Sequence, residues 1–228
     1  MVTRGSAKIG TDGAIAVVVV DDHAMFAESL ARLLETEKGI VLEGISSTVA
    51  EGLELVRRTN PDVVILDYML PDSEGASAIS AILAAAPRSR VLVLTGFGDS
   101  RVLASAIDAG CSGFLTKDQA ASDLVQAVRE LAQGEIHIPP GLLKSLLPAR
   151  STRPVPASGA GESLTNREKE VLGFLARGMT TQGIAKELDL SVHTVRTHVQ
   201  NVIGKLRAHS KLEAVTIAAR EGLVDVWR

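Results

Sequence analysis

Three aspartates, a threonine and a lysine stand where short apolar runs end. Asp21 and Asp22 follow residues 16–20, Asp67 follows 63–66, Thr95 follows 91–94, and Lys117 lies just beyond 113–115. Taken singly, an Asp after a strand is often a turn former or a helix cap. Taken together and in order, the five carry a chemistry. Three carboxylates brought to one place repel, and a divalent cation relieves the repulsion. An all-oxygen shell completed by water suits Mg²⁺. A carboxylate beside such an ion can attack phosphorus, because the ion neutralises charge on the transferring phosphoryl group. The lysine then pairs with one phosphoryl oxygen, and the threonine hydroxyl donates to another.

The elements that must position these residues are legible in the first half of the chain. Runs at 16–20, 40–45, 63–66, 91–94 and 113–115 read as strands, most of them apolar on both faces as central parallel strands are. Amphipathic segments at 24–35, 50–58, 76–86, 100–109 and 120–133 lie between and after them, and Thr48-x-x-Glu51 forms a capping-box pattern for the second. Five strand-helix alternations predict an α/β domain with a doubly wound, five-stranded parallel sheet. Such sheets bind ligands beyond the carboxyl ends of their strands, which is where the five residues fall.

The runs Val18-Val-Val-Asp-Asp-His23, Leu66-Asp-Tyr-Met-Leu-Pro-Asp-Ser-Glu-Gly75, Leu94-Thr95 and Gly113-Phe-Leu-Thr-Lys-Asp118 resemble a response-regulator receiver domain of flavodoxin-like fold. The resemblance covers residues 14–134. It implies that Asp67 accepts phosphate from a sensor histidine kinase, and that Asp21, Asp22, Asp67 and the backbone carbonyl of Met69 hold Mg²⁺. It implies too that Lys117 pairs with the phosphate and that Thr95 and Phe114 are the switch residues. His23 is expected to belong to the start of the following helix. A rival, an aspartyl-phosphate hydrolase of the haloacid dehalogenase type, needs a second Asp two residues past the nucleophile. Met69 occupies that position and can neither donate nor accept a proton.

Residues 135–162 hold most of the chain's prolines and a Ser-Gly-Ala-Gly stretch. They read as a linker with one short helix near 141–147. The remainder, 163–228, is helical throughout. Thr165-x-x-Glu168 and Ser210-x-x-Glu213 are capping-box patterns, Thr180 or Thr181 caps a second helix, and Ser191 caps a third. A very short turn at Asp189-Leu190 separates the second and third helices, which is helix-turn-helix spacing. Ile184, Ala185, Leu188, Val195, Val199 and Val202 form a core stripe. His193, Thr194, Arg196, Thr197, Gln200 and Lys205 are expected to face outward as donors to phosphates and base edges.

Leu164-Thr-x-Arg-Glu-x-Glu-Val-Leu172, Ile184-Ala-x-x-Leu188, Leu190-Ser-x-x-Thr-Val-Arg-x-His198 and Lys205-Leu206 together resemble a LuxR-type DNA-binding domain, a small all-α four-helix unit. With the receiver pattern, the chain is identified as a member of the NarL/FixJ family of response regulators. The resemblance implies that Arg196, Thr197 and Gln200 face bases, that Thr180, His193, Thr194, Lys205 and Lys211 face phosphates, and that the fourth helix makes a dimer contact on DNA. RNA polymerase is an expected further partner. Two departures stand out. Gly183 replaces the acidic residue usual in the second helix, and Gly204 lies inside the third. Each interior glycine costs about 1 kcal/mol relative to Ala.

Composition agrees with this division. Residues 14–135 carry nine Lys/Arg against 18 Asp/Glu, whereas 162–228 carry ten against eight, so an acidic half precedes one able to approach a polyanion. The longest apolar run, 14–20, is far short of a bilayer span. Residues 1–13 lack the apolar core of a signal peptide and read as a disordered tail. The one cysteine, Cys111, forms no internal disulfide and is expected to be a small buried residue in a cytoplasmic protein. The expected function is phosphorylation-controlled transcription regulation, not enzymatic turnover of a substrate. A phosphate-independent DNA binder with a vestigial receiver is disfavoured by the complete pocket.

Overall fold

Short strands apolar on both faces can bury themselves only between two layers of helices. In the computed structural model, which describes residues 13–96, 100–118, 121–139 and 164–224, five of them do so. They are β1 (Ile15–Val20), β2 (Ile40–Ser46), β3 (Val63–Asp67), β4 (Arg90–Thr95) and β5 (Gly113–Thr116), paired in parallel in the order β2-β1-β3-β4-β5. The helices between and after them are α1 (Ala24–Thr36), α2 (Val49–Thr59), α3 (Gly75–Ala85), α4 (Ser100–Asp108) and α5 (Ala121–Ala132). On one face Val18, Val20, Val64, Leu66 and Val93 pack against α2, α3 and α4; on the other Val17, Val19, Ile65, Leu92 and Leu94 pack against α1 and α5. The sheet therefore puts alternate residues of each central strand into two separate cores.

The expected linker begins later than its composition suggests. The peptide of His137 lies alongside β5: Phe114 N–H donates to His137 O at 2.8 Å, and Ile136 and Ile138 pack on the core. The reason is that β5 is an edge strand whose exposed amides need partners. The short helix expected at 141–147, most of the linker and the N-terminal tail lie outside the described residues.

Four helices follow: α6 (Asn166–Ala176), α7 (Thr181–Glu187), α8 (Val192–Lys205) and α9 (Lys211–Arg220). Thr165 opens α6 with a complete capping box, its hydroxyl accepting from Glu168 N–H and the Glu168 carboxylate accepting from Thr165 N–H. At Ser210 only the hydroxyl half forms, because Glu213 reaches one residue further back, to His209 N–H. Asp189 turns the chain between α7 and α8 with φ of +52°, a left-handed conformation that Asp tolerates. The expected stripe of Ile184, Ala185, Leu188, Val195, Val199 and Val202 lies in one apolar cluster. The two domains also touch. Leu212 of α9 is fully buried in the core beside α2–α4, and Ile136 packs on both domains' cores. No helix among the described residues is long and apolar enough to cross a membrane.

Candidate functional site

Parallel strands deliver their C-terminal residues to one rim, and there the acidic residues meet. Asp21 and Asp67 are buried, whereas Asp22 is partly open to solvent. Lys117 reaches in from beyond β5 and lies 2.7 Å from Asp67 Oδ2 and 2.8 Å from Asp21 Oδ2. Its ammonium stands over the Phe26 ring, 4.9 Å from the ring centroid. Burial works against the charged ammonium, but Asp21 and Asp67 outweigh it and hold the lysine above its ordinary range. Asp67 Oδ1 accepts from Met69 N–H at 3.1 Å, so the Met69 peptide borders the pocket while its side chain lies in solvent. Thr95 is buried at the end of β4, and its carbonyl accepts from Lys117 N–H at 2.9 Å. Phe114 is fully buried in the core beneath.

These donors suit a hard divalent cation. Asp21 Oδ2 is buried without a hydrogen bond of good geometry, and the charge of the Lys117 ammonium is what answers it. Two buried carboxylates and a third beside them, with oxygen as donor, are the groups that Mg²⁺ takes. The loop after Asp67 is sterically set. A Cβ on Gly75 would lie 2.4 Å from the Tyr68 ring, so any other residue there must displace that ring.

One residue meets its expectation in the backbone alone. His23 stands at the N-cap of α1, but its side chain makes no capping bond. Its ring stands at the pocket's rim, 64% exposed, with Nδ1 3.2 Å from Asp21 Oδ1 and 3.0 Å from Asp22 Oδ1. The sequence signal, a His directly after paired aspartates, was present but has no fixed meaning without the turn geometry.

In the helical domain His193, Arg196, Thr197 and Gln200 are exposed along α8, as expected of a nucleic-acid face. Thr180 caps α7 through Gly183 N–H, and the Thr194 hydroxyl lies 2.8 Å from Ser191 Oγ. The two lysines are engaged elsewhere. Lys205 does not extend outward but pairs with Glu168 at 2.7 Å. The capping box buries that carboxylate, and a buried carboxylate requires a counter-charge. Burial raises the Glu168 pKa, but Lys205 and the Thr165 bonds outweigh this and hold it below the usual glutamate range. Lys211 is buried against Glu135 of the other domain, and Glu135 also accepts Thr181 N–H at 2.7 Å. Burial, with Arg90 and Arg196 nearby, draws the Lys211 pKa down despite Glu135. Arg196, Gln200 and Lys211 thus line a cleft of about 420 Å³ whose opposite wall is the α/β domain. Glu135 is a residue the sequence alone does not single out.

A doubly wound domain with an acidic strand-end pocket, joined to a helix-turn-helix, defines a DNA-binding response regulator. The profile described as "Response regulator receiver domain" matches residues 17–129, and that described as "Bacterial regulatory proteins, luxR family" matches 162–218. The chain is 34% identical over 211 residues to the probable transcriptional regulatory protein NarL of Mycobacterium tuberculosis, covering 92% of this chain and 96% of the relative. It is 30% identical to the response regulator protein VraR of Staphylococcus aureus, covering 92% and 99%. The chain belongs to the NarL/FixJ family of two-component response regulators, and it is a transcription regulator. A structure of the Salmonella typhimurium RcsB response regulator shares the fold, with a TM-score of 0.55, 23% identity, and coverage of 89% of this chain and 97% of that one.

Proposed function

We propose that residues 14–134 are a phosphorylation switch and that 163–228 are the DNA-binding domain it controls. The observation that carries the reading is Lys117, poised between Asp67 and Asp21 at 2.7 and 2.8 Å at the sheet rim. Asp67 is the phosphoryl acceptor. Its carboxylate attacks the phosphorus of a phosphohistidine on a sensor kinase, forming an O–P bond as the N–P bond breaks, and the imidazole leaves. Mg²⁺, held by Asp21, Asp22, Asp67 and the Met69 carbonyl, would neutralise charge on the transferring group. Lys117 exchanges its carboxylate partners for a phosphoryl oxygen, and the Thr95 hydroxyl donates to another. Hydrolysis of the acyl phosphate returns Asp67 to its starting state. Self-catalysed phosphorylation from small donors and this hydrolysis are the only chemistry assigned.

Arg196, Thr197 and Gln200 then read bases, with Thr180, His193, Thr194, Lys205 and Lys211 toward phosphates. The cleft argues that unphosphorylated protein is closed, because the α/β domain faces Arg196 and Gln200, two of the three residues assigned to bases. Opening releases α8 and allows a homodimer on DNA, in the cytoplasm and in contact with RNA polymerase. The test is intact-mass analysis after acetyl phosphate and Mg²⁺ treatment, with DNA binding as the second readout. A phosphate adduct that Asp67→Ala lacks, together with tighter DNA binding, is the expected result. An adduct of equal yield on the variant overturns the assignment.

A further inference from the structure

We propose that His23 is a nitrogen ligand of the cation pocket, and that it gives the pocket a preference for first-row transition divalent cations over Mg²⁺. The inference rests on the reading of the pocket as a cation site and deepens it. Asp21, Asp22, His23 and Asp67 each offer one ligand atom, and these atoms lie within 4.8 Å of one another. The ring reaches this place because β1 ends at Val20 and α1 begins at Ala24, leaving a three-residue turn. His23 N–H donates to Asp21 Oδ1 at 2.8 Å and fixes that turn.

The spacing is that of a coordination shell. An octahedron with metal–ligand bonds of about 2.1 Å sets adjacent ligands about 3.0 Å apart. His23 Nδ1 lies 3.0 Å from Asp22 Oδ1, 3.2 Å from Asp21 Oδ1 and 3.6 Å from Asp67 Oδ2. A positive charge already stands at the focus of these groups. The Lys117 ammonium is 3.4 Å from His23 Nδ1 as well as within 2.8 Å of both buried carboxylates. Carboxylate oxygens only accept, so at 3.0 and 3.2 Å from Asp22 and Asp21 the nitrogen meets them as a donor. A cation bound among these oxygens takes the place of that proton and meets the Nδ1 lone pair.

The consequence is selectivity. Carboxylate, carbonyl and water donors suit Mg²⁺, whereas imidazole suits Zn²⁺, Ni²⁺, Cu²⁺ and Fe²⁺, with affinity rising from Mn²⁺ toward Cu²⁺. A nitrogen in the shell therefore strengthens Ni²⁺ or Zn²⁺ binding while doing little for Mg²⁺. The pocket accordingly fills with a transition ion at concentrations where Mg²⁺ alone would leave it partly empty.

The probe is Mn²⁺ bound to the full-length, unphosphorylated protein, observed by electron spin-echo spectroscopy. Directly coordinated ¹⁴N modulation is expected in the wild type and is expected to vanish in His23→Ala and His23→Gln. Ni²⁺ should displace the Mn²⁺ at a concentration at least about tenfold lower in wild type than in His23→Ala. Mg²⁺, which gains little from the nitrogen, should displace Mn²⁺ at a lower concentration from His23→Ala than from the wild type. Mn²⁺ binding that Asp67→Ala abolishes but that shows no ¹⁴N coupling overturns the nitrogen ligand and leaves the cation pocket standing. Coupling that persists in His23→Ala also overturns it. Mn²⁺ binding indifferent to Asp67→Ala overturns both the ligand and the pocket.

Discussion

Glu135 should hold the protein in its closed, weakly DNA-binding arrangement, and Glu135→Ala should release it. The carboxylate bonds Thr181 N–H at 2.7 Å with one oxygen and the Lys211 ammonium with the other; the two side chains are only 9% and 10% exposed. Deleting one member of a buried pair costs about 3–5 kcal/mol, because the other charge stays buried without compensation. Lys211 keeps weaker contacts with Thr181 Oγ1 at 3.3 Å and Gly134 O at 3.5 Å, which points to the low end. In an open arrangement Lys211 and Thr181 N–H regain water, so the penalty falls on the closed state alone. About 3 kcal/mol shifts the closed-to-open ratio roughly a hundredfold. The gain in DNA affinity is bounded by the fraction already open, since apparent affinity scales with the competent population. Hydrogen exchange at the Thr181 amide and small-angle scattering of unphosphorylated protein report opening directly. Faster exchange, a larger radius of gyration and tighter DNA binding are expected. Glu135→Gln, which keeps an acceptor for Thr181 but loses the charge, should fall between. Unchanged exchange and an unchanged radius in a Glu135→Ala protein that still melts cooperatively would refute the reasoning.

Gly204→Ala should raise stability by about 1 kcal/mol in thermal melts, because an added Cβ meets nothing within 4 Å and helix propensity improves; a loss would show that the helix needs the bare backbone. Gly75→Ala should destabilise the α/β domain and lower the yield of phosphorylated protein, since the Tyr68 ring must move from the loop after Asp67. Lys205 and the Thr165 bonds hold Glu168 below the usual glutamate range in the fold, so as pH falls the unfolded chain takes up that proton first. Its stabilisation is present above the ordinary glutamate pKa and lost as pH falls through the lower folded pKa, and Glu168→Gln should flatten that part of the acid stability curve. Lys205→Ala should lower the melting temperature, by about 1 kcal/mol in free-energy terms once solvent screening of the lysine is allowed for, as well as weakening DNA binding. Arg196→Ala should flatten the preference at one base pair per half-site, worth about 1–3 kcal/mol, in binding-site selection.

The strands and helices were legible because their signals are local. Val and Ile in short runs, Thr165 and Glu168 three apart, and Ser191 before Val192 each settle a conformation within a few residues of chain. The pocket was legible because a parallel sheet converts five separated strand ends into one place. What stayed hidden depends on partners distant in sequence. Glu168 meets Lys205 across 37 residues, and Glu135 meets Lys211 across 76. A lysine on an outward-facing helical position reads the same whether it meets phosphate, water or a buried carboxylate. The strip at 135–138 reads as linker because its proline-rich sequel does, yet the amides of edge strand β5 recruit it. His23 was read as part of a helix start, since nothing in a single position says which way an imidazole turns.

Two of these long-range contacts, at β5 and at Glu135, share one piece of chain, and that bears on how the pocket could speak to α8. Lys117 lies one residue beyond β5, and its side chain is what the phosphoryl group would draw away from Asp21. Phe114 within β5 donates its N–H to His137 O, and two residues before His137 stands Glu135, which holds Thr181 and Lys211. A displacement of β5 therefore reaches the domain contact through one backbone hydrogen bond and two peptide units, without any change in the helices. The contact it reaches is a charged one in a nearly dry setting, where geometry decides whether the pair is favourable or costly. A small shift suffices there. Lengthening the bond between Glu135 and Lys211 leaves the desolvation of both charges in place while removing the attraction that offsets it. On the proposed reading, phosphorylation need not supply the energy of opening by itself, because burial of the Lys211 charge already opposes the closed state.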